Sequence, residues 1–279
     1  MSYFMYNGKL LKEGTAIIGA DNRGLRYGDG LFETMRVKEG KVLFEEDHFN
    51  RLWQGLKVLG FDLPLDVSGD MLKQQIMVLL KKNKCQGSAR VRLSMIRGDG
   101  GLYDAVNHRP AYIIQAWPLD DHIGEWNING LVMGIQEEVK KSCDILANIK
   151  HNNFLPYIVA ALYARKKQWN DAVVINSFGR IADTTIANIF IIKDENISTP
   201  HLKEGCVAGI MRQTLIRYLV ENNWKITERE IAVPELLSAD EVFVTNSIQN
   251  IRWVQRIGES RYNNIITQKL YTSFIPTIS

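Results

Sequence analysis

A chain of 279 residues, 46 % hydrophobic and 23 % charged, has material for one large or two modest domains with an ample core. Its net charge of +3, with Lys and Arg scattered rather than striped, leaves no electrostatic footprint for nucleic acid, and no apolar run approaches membrane-spanning length. Three cysteines, Cys85, Cys143 and Cys206, fit neither a disulfide framework nor zinc spacing, so a reducing cytoplasm is the expected compartment. The first residues show no basic-then-apolar leader pattern, and none is expected.

Along the chain, residues 1–44 read as short strands broken at Asn7-Gly8 and Glu39-Gly40. A helix is expected from about Asp47, with Phe49, Leu52, Trp53, Leu56 and Leu59 on one face, and a second from Asp70 to Lys82. Ala89–Ile96 alternates as a half-buried strand, and Ala111–Trp117 reads as another. Residues 118–124 read as a linker. Beyond it come a strand near Leu131–Gln136 and a helix over Asn153–Trp169, with Pro156 in its first turn. Strands are expected over Ala172–Ser177 and Ile181–Ile192, a helix over Arg212–Val220, a short helix at Pro234–Leu237 and a strand at Glu241–Thr245. Strands fall in groups rather than strict alternation, so the fold class is α+β, a mixed α/β protein. Residues 1–118 are expected to form a small N-terminal α/β domain, 119–125 a linker, and 126–279 a larger C-terminal β-rich domain with helices.

Chemistry-bearing residues recur along the chain. Lys150 ends the mostly apolar run Ile145-Leu-Ala-Asn-Ile149. Desolvation there would lower its pKa and make the amine nucleophilic; a solvated surface lysine is the plain alternative. Asp183 lies in a strand-like segment between Ile181 and Thr184-Thr185, where it suits either a pyridine nitrogen or a strand-edge turn. Val207-Ala-Gly209-Ile-Met-Arg212 enters an amphipathic helix, whose N–H groups and dipole favour an anion. Thr245-Asn-Ser247 offers further donors or a helix cap. Arg90 and Arg92 share one face of an alternating strand, as a carboxylate-bearing substrate or plain solvent would require. Tyr27-Gly-Asp-Gly-Leu-Phe-Glu-Thr-Met-Arg36 places Phe32, Thr34 and Arg36 on one strand face, and Arg51 sits on the polar side of its helix. A lysine, a carboxylate and an anion-binding helix start together suit covalently held pyridoxal phosphate.

Taken together, Tyr27–Arg36, His48-x-x-Arg51-Leu52, Ile149-Lys-His-x-Asn153, Gly179-Arg-Ile-x-Asp183 leading to Asn188-Ile-Phe190, Gly209-Ile-x-Arg212 and Thr245-Asn-Ser247 resemble the class IV aminotransferase family, the fold type IV pyridoxal-phosphate enzymes. The resemblance runs over nearly the whole chain. It implies that Lys150 is the Schiff-base lysine, forming the internal aldimine and then shuttling the proton, and that the C-terminal domain carries it. It implies that Arg51, the main chain of Ile210 and Met211, and the Ser247 hydroxyl hold the phosphate. Asp183 falls opposite the pyridine nitrogen, where the family usually has the longer Glu. Tyr27, Phe32, Arg90 and Arg92 are expected on the substrate side. Leu155 stands where branched-chain enzymes carry Tyr, while Thr34 matches a threonine of the lyase site. An aminotransferase joining a small amino acid to a 2-oxo acid is the first expectation. An aminodeoxychorismate lyase releasing pyruvate and 4-aminobenzoate is the second, and a binding protein with impaired catalysis the third. A homodimer is expected, with the loop near Leu102-Tyr103 closing the partner's site.

Overall fold

The computed structural model describes residues 2–63, 66–103 and 108–278. The described chain divides into two compact units, Met1–Ile123 with Ile149–Asn153, and Gly124–Asn148 with Phe154–Ser279.

The first unit is a six-stranded antiparallel sheet in the order β2-β1-β6-β5-β3-β4. Its elements are β1 (Tyr3–Tyr6), β2 (Lys9–Lys12), α1 (Arg23–Tyr27), β3 (Gly30–Lys38), β4 (Lys41–Val42), α2 (Glu45–Val58), α3 (Gly69–Asn83), β5 (Ser88–Arg97) and β6 (Pro110–Pro118). Both expected turns join hairpins. Asn7 and Gly8 each adopt positive φ, as do Glu39 and Gly40, the backbone that matches strand twist in a two-residue connection. The five-residue α1 interrupts the stretch read as strands; Asn22 caps it by accepting from the Leu25 N–H at 3.1 Å. Leu52 and Leu56 of α2 and Leu72, Ile76, Leu79 and Leu80 of α3 pack against Leu31, Met35, Val37, Val91 and Leu93. This places both helices on the face formed by the odd-numbered residues of β3 and β5. Phe32, Thr34, Arg36, Arg90 and Arg92 therefore look out from the opposite face.

The second unit holds a nine-stranded mixed sheet, β12-β11-β10-β13-β14-β7-β8-β9, with β15 beside β14. Its strands are β7 (Leu131–Lys141), β8 (Asp171–Asn176), β9 (Ile181–Thr184), β10 (Asn188–Lys193), β11 (Asn196–Pro200), β12 (Ile226–Arg229), β13 (Glu241–Asn246), β14 (Asn250–Ile257) and β15 (Ser260–Arg261). Its helices are α4 (Leu155–Lys166), α5 (Ile210–Glu221), α6 (Val233–Leu237) and α7 (Ile265–Phe274). Met133, Val173, Ile189, Val242, Val244 and Val254 build its main core. Tyr157, Ala160 and Ala164 of α4 pack on Ala172 and Val174 of β8.

Three boundaries differ from expectation for local reasons. Helix α4 begins at Leu155 rather than Asn153, because Pro156 must occupy the first turn. The expected strand over 181–192 is two strands. Thr184 breaks it by holding the Ala187 carbonyl through both its N–H and its hydroxyl. Helix α5 starts at Ile210, two residues early, directly after Gly209.

Candidate active site

In the first unit, Lys150 is fixed through its backbone. The Phe32 N–H donates to the Lys150 carbonyl at 2.9 Å and the Asn152 N–H to the Gly30 carbonyl at 2.8 Å. Leu31 and His151 form an antiparallel bridge, so the segment docks on the start of β3 like a short strand. A side chain at Gly30 would put its Cβ 2.3 Å from the Met95 carbonyl oxygen and 2.7 Å from Asn152 Nδ2. Only glycine allows this approach.

The Lys150 amine lies 4.7 Å from the centroid of the buried Phe32 ring. The Arg92 guanidinium lies 3.6 Å from the same centroid, so one aromatic ring touches both cations. In register, Phe32 faces Ser94, Thr34 faces Arg92, and Arg36 faces Arg90. Arg92 Nε donates to the Ser94 hydroxyl at 3.2 Å. Burial, and then the neighbouring Arg90 cation, pull the Arg92 guanidinium below its ordinary value. Phe32, Thr34, Arg92 and Lys150 thus share one locality. Arg90 is exposed with its guanidinium 4.7 Å from the Trp117 ring. Tyr27 stands apart at the end of α1, 40 % exposed, its ring flanked by Arg23 and Arg26.

Arg51 is held from below. Its Nε and Nη2 donate to the two Glu33 oxygens at 2.7 and 2.6 Å, and His48 Nδ1 donates to Glu33 Oε2 at 2.7 Å. Burial pushes the Glu33 carboxyl up, but Arg51 and His48 more than reverse this and leave it at about 2. A fork gripped bidentately keeps one orientation, which suits a fixed contact to a phosphate oxygen. Sequence reading placed Glu33 and His48 within motifs but gave neither a role. The available signal was an acid at the odd, apolar face of β3 between Leu31 and Met35.

In the second unit, Asp183 is 2 % exposed on β9. Its Oδ2 accepts from the Tyr157 hydroxyl at 2.7 Å and from the Val207 N–H at 3.1 Å. Tyr157, also missed, reads in the sequence as an ordinary core aromatic of α4. Burial first, then the Asp183 charge and the hydrogen bond to it, hold the Tyr157 phenol well above its usual range. Glu204 is committed elsewhere, bound to Arg180 at 2.6 and 3.0 Å and to Asn176 at 2.8 Å.

Helix α5 opens with Ile210 and Met211, and no side chain caps it. A Cβ at Gly209 would fall 1.9 Å from Asn188 Oδ1, so the turn admits glycine alone. Asn188 Nδ2 donates to the Val207 carbonyl at 2.8 Å, and Asn188 pairs with Thr245 across β10 and β13. Asn188 therefore ties the α5 entry to the end of β13. There Asn246 Oδ1 accepts from the N–H groups of Ile248 and Gln249, and half-buried Ser247 sits on that turn. Thr245 Oγ1 is buried with no hydrogen-bond partner among the described residues. An uncapped helix start beside a buried spare hydroxyl fits a phosphate ester. Arg212 is not part of this cradle. It reaches the Pro200 carbonyl and Glu228 and fastens α5 to β11 and β12.

Residues 30–257 match the amino-transferase class IV family model. The chain belongs to that family. This class IV protein is 29 % identical over 275 residues to a putative branched-chain-amino-acid aminotransferase of Methanocaldococcus jannaschii, covering 96 % of this chain and 93 % of the relative. It is 29 % identical over 239 residues to an aminodeoxychorismate lyase of Vibrio harveyi, covering 85 % and 86 %. Its fold is similar to that of the branched-chain aminotransferase of Thermoproteus uzoniensis crystallised with norvaline. The TM-score is 0.87 at 23 % identity, over 99 % of this chain and 94 % of that one.

Proposed function

We propose that this class IV enzyme is an aminotransferase that carries an amino group from a small amino acid to a 2-oxo acid, with pyridoxal phosphate as its cofactor. The carrying observation is the Lys150 amine beside Phe32, whose ring also meets the Arg92 cation. An amine and a carboxylate-binding cation flank one apolar wall, as an α-amino acid requires. Bound pyridoxal phosphate supplies an exchangeable carbonyl and an electron-accepting ring. Lys150 would hold that group covalently and afterwards take and return the substrate α-proton at Nζ. Arg51, the N–H groups of Ile210 and Met211, and the Ser247 hydroxyl would hold its phosphate. Asp183 would face the ring nitrogen. Arg92, with Arg90 and Tyr27 further out, would receive the substrate carboxylate, and Phe32 would keep water from the amine.

One observation favours a second reading. Thr34 sits opposite Arg92 on the Phe32 face, which supports a lyase, since the resemblance matches this threonine to one of the lyase site. Aminodeoxychorismate would then lose pyruvate to leave 4-aminobenzoate with no oxo-acid acceptor.

The proposal extends to a homodimer in a reducing, cytoplasmic setting, with 1–118 and 126–279 as its domains about a 119–125 linker. The exposed apolar stripe Leu155, Ile158, Val159 and Leu162 on α4 supports the dimer, and Cys85, Cys143 and Cys206 are free thiols. No helix among the described residues is long and apolar enough to cross a membrane.

A half-reaction screen tests the function. The cofactor absorbance is followed with L-amino acids, D-amino acids and aminodeoxychorismate in turn. A spectral change with an amino acid, reversed by a 2-oxo acid, is expected. Pyruvate release from aminodeoxychorismate alone would instead establish the lyase. An unchanged spectrum with all three leaves only a cofactor-binding protein.

A further inference from the structure

We propose that Tyr157 is a positioning residue for Asp183, holding that carboxylate ionised so that a proton stays on the ring nitrogen of the bound cofactor. The inference rests on the cofactor reading above and concerns a residue that this reading leaves without a role.

The geometry is specific. Tyr157 is 4 % exposed and Asp183 2 %, and the phenol oxygen lies 2.7 Å from Asp183 Oδ2. The inner face of α4 is otherwise small and apolar, with Ala160 and Ala164. A phenylalanine would fill the same space against β8, so the hydroxyl answers to Asp183 rather than to packing. The ring is held on two sides, by Phe154 at 4.4 Å between centroids and by the Lys141 amine at 4.7 Å. Lys141 is itself fixed by donating to the Ala147 carbonyl at 3.3 Å. The second donor to Oδ2 is the Val207 N–H. It comes from the loop that leads into Gly209 and α5, so one loop both aims Asp183 and opens the phosphate helix.

Donors to a buried carboxylate stabilise its charged form. Tyr157 is suited to that task, since burial and the Asp183 charge keep its own proton in place. The Cys206 thiol is pushed up to about 12 by burial and stays neutral, so it adds no competing anion. When one proton is shared between a carboxylate and a ring nitrogen, stabilising the carboxylate moves the proton to nitrogen. Tyr157 thereby keeps the charge on the short Asp183 carboxylate, and the bound ring would remain a strong electron acceptor.

The test loads wild type and Tyr157→Phe with ring-15N pyridoxal phosphate and reads the nitrogen chemical shift. The wild-type signal is expected at the protonated position, and the variant's displaced toward neutral pyridine. In the same variant kcat should fall roughly ten- to a hundredfold with KM largely kept. Site-specific difluorotyrosine at position 157, a stronger donor of the same shape, should move the signal further toward the protonated position. It also decides the matter if the Phe variant does not fold. An identical 15N position in wild type and variants, with both loaded, overturns the role of Tyr157 alone. A wild type that takes up no cofactor overturns the function on which that role rests.

Discussion

Glu33 is 1 % exposed, and its two oxygens meet Arg51 and His48. Removing the charge from one side of such a buried pair strands the other, at a cost of about 3 kcal/mol or more. Glu33→Gln should therefore lower stability to denaturant by about that amount and weaken cofactor affinity through a mobile Arg51. A variant as stable as wild type would show that the grip is dispensable. The pH dependence has a defined sign. The folded-state carboxyl sits at about 2 against an ordinary 4.5. Its contribution is thus complete above about pH 4.5 and is lost as pH falls through 2, about 3 kcal/mol in all. Acid titration of the unfolding free energy should show this loss in wild type and a flatter profile in Glu33→Gln. At Lys150, substitution by Ala should abolish the visible absorbance of the purified protein; an unchanged spectrum would remove the lysine from its assigned role. Phe32, Thr34, Arg92 and Lys150 were legible in the sequence because alternation and motif order mark them. Tyr157 was not, and His48 stood in a motif without a role, since an aromatic or a histidine on an apolar helix face looks like core until its partner is seen.

At the level of elements, the tight turns carry the strongest constraints. A methyl group at Gly209 would lie only 1.9 Å from Asn188 Oδ1. Gly209→Ala should destabilise the protein by about 1–3 kcal/mol and raise the dissociation constant for inorganic phosphate, measured by calorimetry. Retained phosphate affinity in a folded variant would move the anion site away from α5. Helix α4 presents Leu155, Ile158, Val159 and Leu162 to solvent. Leu162→Glu should shift sedimentation toward a monomer while far-UV dichroism is kept. The regular hairpins and α2 and α3 were plain from sequence because glycine turns and one-sided apolar faces agree. Strand β14 was not read. It is buried on both faces and bulges between Val254 and Arg256, which destroys the two-residue period. Strands β11 and β12 escaped because each is only four or five residues long and takes its partner from another element. The short α1 depends on one Asn cap rather than on periodicity.

For the molecule as a whole, the division into units does not follow the chain. Ile149–Asn153 is grouped with Met1–Ile123, while the residues on either side of it belong to the other unit. The Leu31–His151 bridge that seats Lys150 closes a loop of roughly 120 residues. Closures that long form late, after local hairpins and helices have collapsed. During refolding from denaturant, far-UV dichroism should recover before the protein can take up its cofactor, and the lag should disappear from the first signal but not the second. Gly30→Ala should lengthen that lag. A fragment ending at residue 123 would form hairpins yet leave the first residues of β3 without the segment that covers them. If Lys150 has its proposed role, maturation as well as catalysis would be gated by the same few backbone hydrogen bonds: the enzyme would become competent only once a distant part of its own chain has come home.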